Sequence, residues 1–351
     1  MTAPTAYPGV HVEEKDSDNI AVNASSTMVP ILCMGSTWGN KTWYYKNWME
    51  VVKSYGSGSP DLNFMHVASL RAYFEAGGGP CYAVQLSNVH TAVNDPSISA
   101  NHVVACGQGI AGVSAEVNKF ERRIFTIFDM PATEITNADA AKDLPASPDA
   151  AAYYPRLKVK WTNTDIPASA VVAALYCEND RTRGVWKAPA NIAVPAGFTP
   201  KYKVTDDIEG TYTTGKAINM IRSLGDAVPR IWGARTLDDS DDWRYVSVRR
   251  LFNSVEDDMR HMMEALMFEP NMPLTWEKAR SAAISHLHGL WKKGALAGAS
   301  DEEAYFAQIG KNVTMSDADI AQGKMILKIG LAAVRPAEFI ILEFSQSMPG
   351  G

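Results

Sequence analysis

Residues 62–86 read LNFMHVASLRAYFEAGGGPCYAVQL. Leu62, Met65, Val67, Ala68, Leu70, Tyr73 and Phe74 return near the period of an α-helix, so Leu62–Glu75 is predicted helical. Gly77-Gly78-Gly79-Pro80 ends it sharply, since glycine leaves a helix easily and proline cannot continue one. Cys81–Leu86 follows as an apolar strand. Helix, stop and buried strand in succession are the unit of an alternating α/β layer.

The pattern extends both ways. Val29–Gly35 is an apolar run closed by glycine, a second buried strand. Lys46–Tyr55 fits a short helix stopped by Gly56. Ile124–Phe128 reads as a strand ending in Asp129-Met130-Pro131, Leu157–Trp161 as another, and Ala168–Glu178 as a helix. Residues 185–215 are loop-rich, punctuated by Pro189, Pro195, Gly197, Pro200 and Gly210.

The character then changes. Arg249–Phe268 places Leu251, Val255, Met259, Met262 and Leu266 on one helix face, and Trp276–Lys293 does the same with Trp276, Ala279, Ala283, Leu287 and Leu290. Both read as core-packing helices. Lys324–Leu331 and Glu338–Phe344 are strands separated by Pro336. The last is apolar on both faces, as central strands are, yet it lies near the end of the chain. Such a strand needs a partner, in its own subunit or another. At the other end, Val10–Glu13 and Ile20-Ala21-Val22 are short β-prone pieces around a polar stretch, Glu14–Asn19, and residues 1–27 read as an extended arm.

Composition restricts function. Charged residues are 21% and hydrophobic ones 46%, ordinary for a soluble globular protein, and the net charge of −6 disfavours nucleic-acid or anionic-membrane binding. The N-terminus lacks a secretory pattern and no apolar run is long enough for a membrane helix. Cys33, Cys81, Cys106 and Cys177 are far apart with no CxxC, which suits buried thiols in a reducing compartment.

The sharpest catalytic candidate is Gly107-Gln108-Gly109-Ile110-Ala111-Gly112, a GxGxxG that follows His102–Cys106 and precedes a strand ending in Asp129. In a dinucleotide site the glycines admit a pyrophosphate and the acid holds a ribose. Here the motif starts only at residue 107, whereas a Rossmann domain opens with it, and a plain glycine-rich turn is the competing reading. His286 and His288 point to different sides of a helix, which is not metal spacing. Asp238-Asp239-Ser240-Asp241-Asp242 lacks the glycine and glutamate offsets of a calcium loop. No HExxH, P-loop or GxSxG occurs. Chemistry alone leaves an α/β protein of structural or interaction type.

Further segments resemble contractile tail sheath proteins, the family of myophage sheaths, R-type pyocin sheaths and extracellular contractile injection systems. They are Tyr7-Pro8-Gly9-Val10-His11-Val12-Glu13, Arg183-Gly184-Val185-Trp186-Lys187-Ala188-Pro189-Ala190-Asn191, Trp232-Gly233-Ala234-Arg235-Thr236-Leu237, Trp243–Leu251, Phe268-Glu269-Pro270-Asn271 and Val334-Arg335-Pro336-Ala337-Glu338-Phe339 with Gln346. They occur in the family's order. His11 stands where an aromatic Tyr is common, and residues 90–150 carry the weakest likeness.

The resemblance implies a discontinuous inner sheath domain with an inserted outer α/β domain and extended terminal arms. Its parts are an N-terminal arm (1–27), an outer α/β domain (28–200), an inner sheath domain (201–335) and a C-terminal strand arm (336–351). It implies a non-enzymatic structural subunit with no cofactor or metal, forming a helical sheath around a rigid inner tube. Sheath subunits link by β-strand augmentation, for which the residues here are Val10, Val12, Ile20 and Val22 in the arm and Phe339, Ile340, Ile341, Leu342 and Phe344 in the strand. Hinges fall near Glu14–Asn19 and Leu331–Pro336. Asp317, Asp319 and Gln322, in the polar stretch Ser316–Gly323, are candidates to face the tube; a capped turn before the next strand is the alternative. Implied partners are further copies of the chain, the tube protein, and baseplate and terminator or cap proteins, but neither nucleic acid nor membrane. Assembly would take place in the bacterial cytoplasm, within a phage tail or a released tail-like particle.

Overall fold

A computed structural model of the chain describes residues 22, 24, 26–56, 58–136, 138–225 and 227–338. The expected contact residues Val10, Val12, Ile20, Phe339, Ile340, Ile341, Leu342 and Phe344 lie outside the described residues.

The strands are β1 (Pro30–Met34), β2 (Trp43–Tyr45), β3 (Cys81–Gln85), β4 (His102–Val104), β5 (Phe125–Asp129), β6 (Ala150–Tyr154), β7 (Leu157–Lys158), β8 (Ile192–Ala193), β9 (Thr199–Pro200), β10 (Ile218–Arg222), β11 (Arg230–Ile231), β12 (Tyr305–Gln308) and β13 (Lys328–Leu331). The helices are α1 (Trp48–Ser54), α2 (Met65–Glu75), α3 (Val89–Asn94), α4 (Ile110–Val117), α5 (Ala168–Thr182), α6 (Asp206–Thr211), α7 (Val246–Glu264), α8 (Pro273–Lys292), α9 (Asp301–Ala304) and α10 (Asp317–Ala321).

The main sheet runs β2-β3-β1-β4-β5-β6-β10-β11-β8. From β3 to β10 it is parallel. Parallel strands covered on both faces need no polar side, and β1, β5 and β6 are buried throughout. Alternation sends Leu32 and Met34 toward α2 and α5, and Ile31 and Cys33 toward Val89 and Val93 of α3. Residues 168–176 of α5 are buried on all sides, where small Ala170, Ala173 and Ala174 permit close approach to the sheet.

A second body packs α7 against α8 and the two-stranded sheet β12–β13. Leu251, Val255, Met259 and Met262 meet Trp276, Ala279, Ala283 and Leu287 in one cluster with Tyr305 and Ala307. Among the described residues no helix is long and apolar enough to cross a membrane.

Several expectations shift. Leu157–Trp161 shortens to β7, because the chain turns back and Leu157 exchanges two backbone hydrogen bonds with Ile166. Helix α7 begins at Val246 and closes at Glu264, four residues before Phe268, which has left-handed backbone with φ 73°. Of Lys324–Leu331 only the last four residues are strand; the Ile326 amide is turned to Met315 Sδ at 3.3 Å. The sheet also crosses residue 200. β10 pairs with β6 and β11 with β10, so a boundary drawn there cuts one continuous sheet.

Candidate inter-subunit surfaces

The chain enters the fold at residues 26–29, held by Arg250 of α7 and Asp180 of α5. Arg250 Nη1 and Nη2 donate to the two Asp180 oxygens at 3.0 and 2.7 Å, and Nη2 reaches the Thr27 carbonyl at 3.2 Å. Thr27 Oγ1 donates to Asp180 Oδ2 at 2.6 Å. Arg250 Nε donates to His102 Nε2 at 2.9 Å, so that nitrogen is unprotonated, and the guanidinium covers the Tyr176 ring at 4.6 Å. The His102 proton then sits on Nδ1, 2.8 Å from Asn101 Oδ1. Burial, aided by the Arg250 charge, holds His102 well below the usual imidazole value. Asn101 closes the ring, donating to the Ser26 carbonyl at 2.6 Å and accepting from the Val29 amide at 2.7 Å. Val22, the one expected arm residue among those described, packs with Trp186 against the α7–α8 cluster. Gly184, at φ 94°, has no room for a Cβ, which would lie 2.5 Å from the Trp186 ring.

The chain leaves through residues 332–338. The Ala297 amide donates to the Ala332 carbonyl at 2.7 Å, the Ala332 amide to Ala304 at 2.9 Å, and the Val334 amide to Ala295 at 3.3 Å. Beyond them Arg235 holds Glu338, with Nε and Nη2 on Oε2 at 3.0 and 2.5 Å. Arg235 is itself fixed. Asn219, buried on β10, accepts from its amide at 2.7 Å and donates to its carbonyl at 2.8 Å. Its Nη1 also donates to the Thr213 carbonyl. Gly233 permits this approach: a Cβ there would stand 2.7 Å from Asn219 Oδ1. Thr236 Oγ1 then closes the turn onto the Trp243 carbonyl at 2.7 Å.

The β12–β13 sheet leads directly into the C-terminal exit. Two strands alone are marginal. Among the described residues no further strand joins either, and a groove runs between Met325–Leu331 and α7, walled by Phe252, Val255, Met259, Met263, Ile329 and Leu331. Four exposed apolar side chains gather at the α7–α8 corner. Phe268 is 99% exposed, and Met267, Met272 and Leu274 are exposed beside it. Helical periodicity gave no sign of this corner, because Phe268 falls past the end of the helix.

Of the candidate tube-facing residues, Asp317 is exposed and pairs with Lys311 at 2.6 Å. Asp319 is spent on a capping box: its carboxylate accepts from Ser316 amide and hydroxyl at 3.0 and 2.7 Å, which lowers its pKa. Gln322 is exposed at the end of that helix. The stretch is thus a capped short helix that presents Asp317 and Gln322 outward.

The glycine motif closes on the protein itself. Gly107 has φ 78°, and a Cβ there would meet Met65 Sδ at 2.5 Å and Pro167 Cγ at 2.9 Å. Asp129, instead of facing outward, accepts from the Gly107 amide at 2.7 Å, the Ser169 amide at 2.8 Å and the Ser169 hydroxyl at 2.6 Å. Burial raises its pKa despite these donors. The acid and glycines form a structural turn that ties β4, β5 and α5 together. Among the described residues no cluster of His, Cys, Asp or Glu is placed to hold a metal ion.

The molecule is thus an α/β body with anchored chain exits and an open-edged small sheet, the features of a protein that assembles. A family model described as the phage tail sheath C-terminal domain matches residues 238–347. Among solved structures, the chain is similar to the PVC sheath complex of an extracellular contractile injection system in the contracted state, at 44% identity and TM-score 0.88, covering 99% of each chain. It is also similar to a chain of the anti-feeding prophage baseplate in the contracted state, at 42% identity and TM-score 0.85, covering 98% of this chain and 100% of that one. The helical sheath of the anti-feeding prophage, also contracted, is 33% identical with TM-score 0.79 and the same coverage. No curated protein matches. The chain belongs to the contractile tail sheath family, as a structural subunit of a phage-tail-like helical assembly.

Proposed function

We propose that this chain is the sheath subunit that surrounds a rigid inner tube and contracts to drive it through a target envelope. Subunits are linked by strand exchange. Residues 1–27 and 336–351 of one copy add to the β12–β13 sheet of its neighbours, with Val10, Val12 and Ile20 and Phe339, Ile340, Ile341, Leu342 and Phe344 supplying the contacts, while Val22, expected among them, packs on the α7–α8 cluster of its own chain. The observation that carries the reading is the open edge of β13 beside an apolar groove, in a chain whose two anchored exits lead to β-prone segments. Main-chain hydrogen bonds across that edge survive rotation of the subunits, so the mesh holds while the lattice changes. The extended state is metastable, and a few kcal/mol per subunit suffice because many move together. Asp317 and Gln322 face the tube, joined by Asp319 if its cap opens. The outer domain is the sheet and its helices, the inner one the α7–α8 body; neither catalyses a reaction nor holds a cofactor. Baseplate and terminator proteins close the ends, and assembly takes place in the bacterial cytoplasm.

Deleting residues 336–351 tests the linkage. The truncated chain should remain folded and monomeric in sedimentation, where the full chain pelletes as large assemblies. Equal sedimentation of the two rejects strand exchange.

A further inference from the structure

Phe268 is almost wholly exposed, at a φ of 73°, a left-handed conformation that strains a bulky residue. An aromatic ring so placed gains nothing from its own chain, where glycine or asparagine would sit with less strain. The corner that presents it is braced. Asn271 accepts from Trp276 Nε1 at 2.7 Å and donates to the Lys324 carbonyl at 2.9 Å, while the Glu269 and Met272 amides close turns onto the Leu266 and Pro270 carbonyls. With Met267, Met272 and Leu274 exposed beside it, this is a fixed apolar projection, the kind of feature that anchors a protein contact. Its rim is acidic: Glu264 and Glu269 are exposed, and among the described residues neither forms an ion pair.

At the other end of α8 lies a recess of about 510 Å³, walled by Val185, Trp186, Ala282, Gly289 and Leu290. Its exposed charges are basic. Lys293 lines it, and Arg181 and Lys187 flank its lining residues in sequence; all three are exposed, and among the described residues none forms an ion pair. The acids at the recess are buried and engaged: Asp180 pairs with Arg250 at 2.7 Å, and Asp258 faces His286 Nε2 at 3.1 Å. The groove along α7 offers no such complement, because Arg123 already pairs with Glu256, Arg249 with Asp149 and Arg260 with Asp257.

We infer that the α7–α8 corner is a docking surface for a second copy of this chain, with Phe268 seated in the recess at the far end of that copy's α8. This rests on the sheath reading, in which copies meet copies. Helix α8 has 20 residues and is about 30 Å long, so one copy gives its corner to one neighbour and its recess to another. Two different surfaces in contact do not pair off into a dimer. They propagate as a ring or a helix, as a tail-like helical assembly requires. The acidic rim of the corner against the basic rim of the recess fixes the register and hastens the encounter.

Photo-crosslinking of the full-length chain tests this. Chain carrying a photoreactive phenylalanine analogue at position 268 is assembled with isotope-labelled unaltered chain and irradiated. Adducts between labelled and unlabelled copies are expected within residues 184–187 and 289–293. In parallel, Phe268→Ser should keep the melting temperature of the unaltered chain, yet raise the concentration needed for sleeves about tenfold or more by light scattering. Glu269→Lys and Lys293→Glu should each raise it severalfold, and the two together should recover most of the loss. Sleeves whose adducts fall elsewhere on the chain, within one copy, or on a co-purifying protein overturn the contact and leave the sheath reading intact. Sleeve formation by Phe268→Ser at the unaltered concentration, or no recovery in the charge-swapped chain, does the same. If the unaltered chain forms no sleeves, the sheath reading itself fails and takes the contact with it.

Discussion

Asp180 meets Arg250 through both carboxylate oxygens, at 3.0 and 2.7 Å, and both side chains are buried. The pair joins α5 of the sheet layer to α7 of the second body, and Thr27 completes it. Removing one member leaves the other charged and buried. Asp180→Ala should cost about 3–5 kcal/mol in urea unfolding. Asp180→Leu with Arg250→Met should recover part of that loss, because no charge is then stranded. A loss under about 1 kcal/mol for the single change would show that the pair is solvated.

His102 gives a pH dependence of defined sign. Burial and Arg250 lower its pKa from the usual 6.5, and burial lowers His66 too. The unfolded chain therefore takes up these protons first as pH falls. The contribution to stability is complete above about pH 6.5 and is lost as pH drops toward the folded values, by up to about 1.4 kcal/mol per pH unit for each histidine. Unfolding midpoints between pH 7 and 5 should fall steeply for the unaltered chain and less steeply for His102→Gln. Equal slopes would contradict a buried neutral His102.

Gly233 and Gly107 are held to glycine by what faces them. Gly233→Ala pushes a methyl against the Asn219 side chain and should cost about 1–3 kcal/mol in thermal or urea unfolding. Gly107→Ala combines a crowded site with left-handed backbone and should cost at least as much. Gly109, with open space around it, should tolerate alanine with little change.

The dinucleotide reading predicts a ligand-dependent rise in melting temperature. Because Met65 and Pro167 fill the Gly107 side of the loop and Asp129 is engaged internally, NAD, NADP and ATP should leave the melting temperature unchanged. A shift abolished by Gly109→Val would revive a nucleotide site.

The strands and helices legible in the sequence are those whose own period is strong: β1, β3, β5, α2, α5, α7 and α8. Ala150–Tyr154 went unread because an alanine-rich run carries no β-branched signal; it is a strand because it lies between Thr126–Asp129 and Ile218–Met220. The motif residues were visible as a resemblance, but their reasons were not. Asp180 and Arg250 are 70 positions apart, and Arg235 and Glu338 are 103 apart, so only the fold brings them together. In the sequence Asp129 is a possible ribose ligand because it ends the strand that follows the glycines. Its hydrogen bonds to Gly107 and Ser169 depend on where α5 begins, which spacing along the chain does not reveal.

The central claim is that copies of this chain build a sheath. Negative-stain electron microscopy of the purified protein, expressed alone, addresses it most directly. Striated hollow cylinders much wider than one subunit are expected, in the contracted lattice because no tube templates the extended one. Discrete compact particles at every concentration would contradict it.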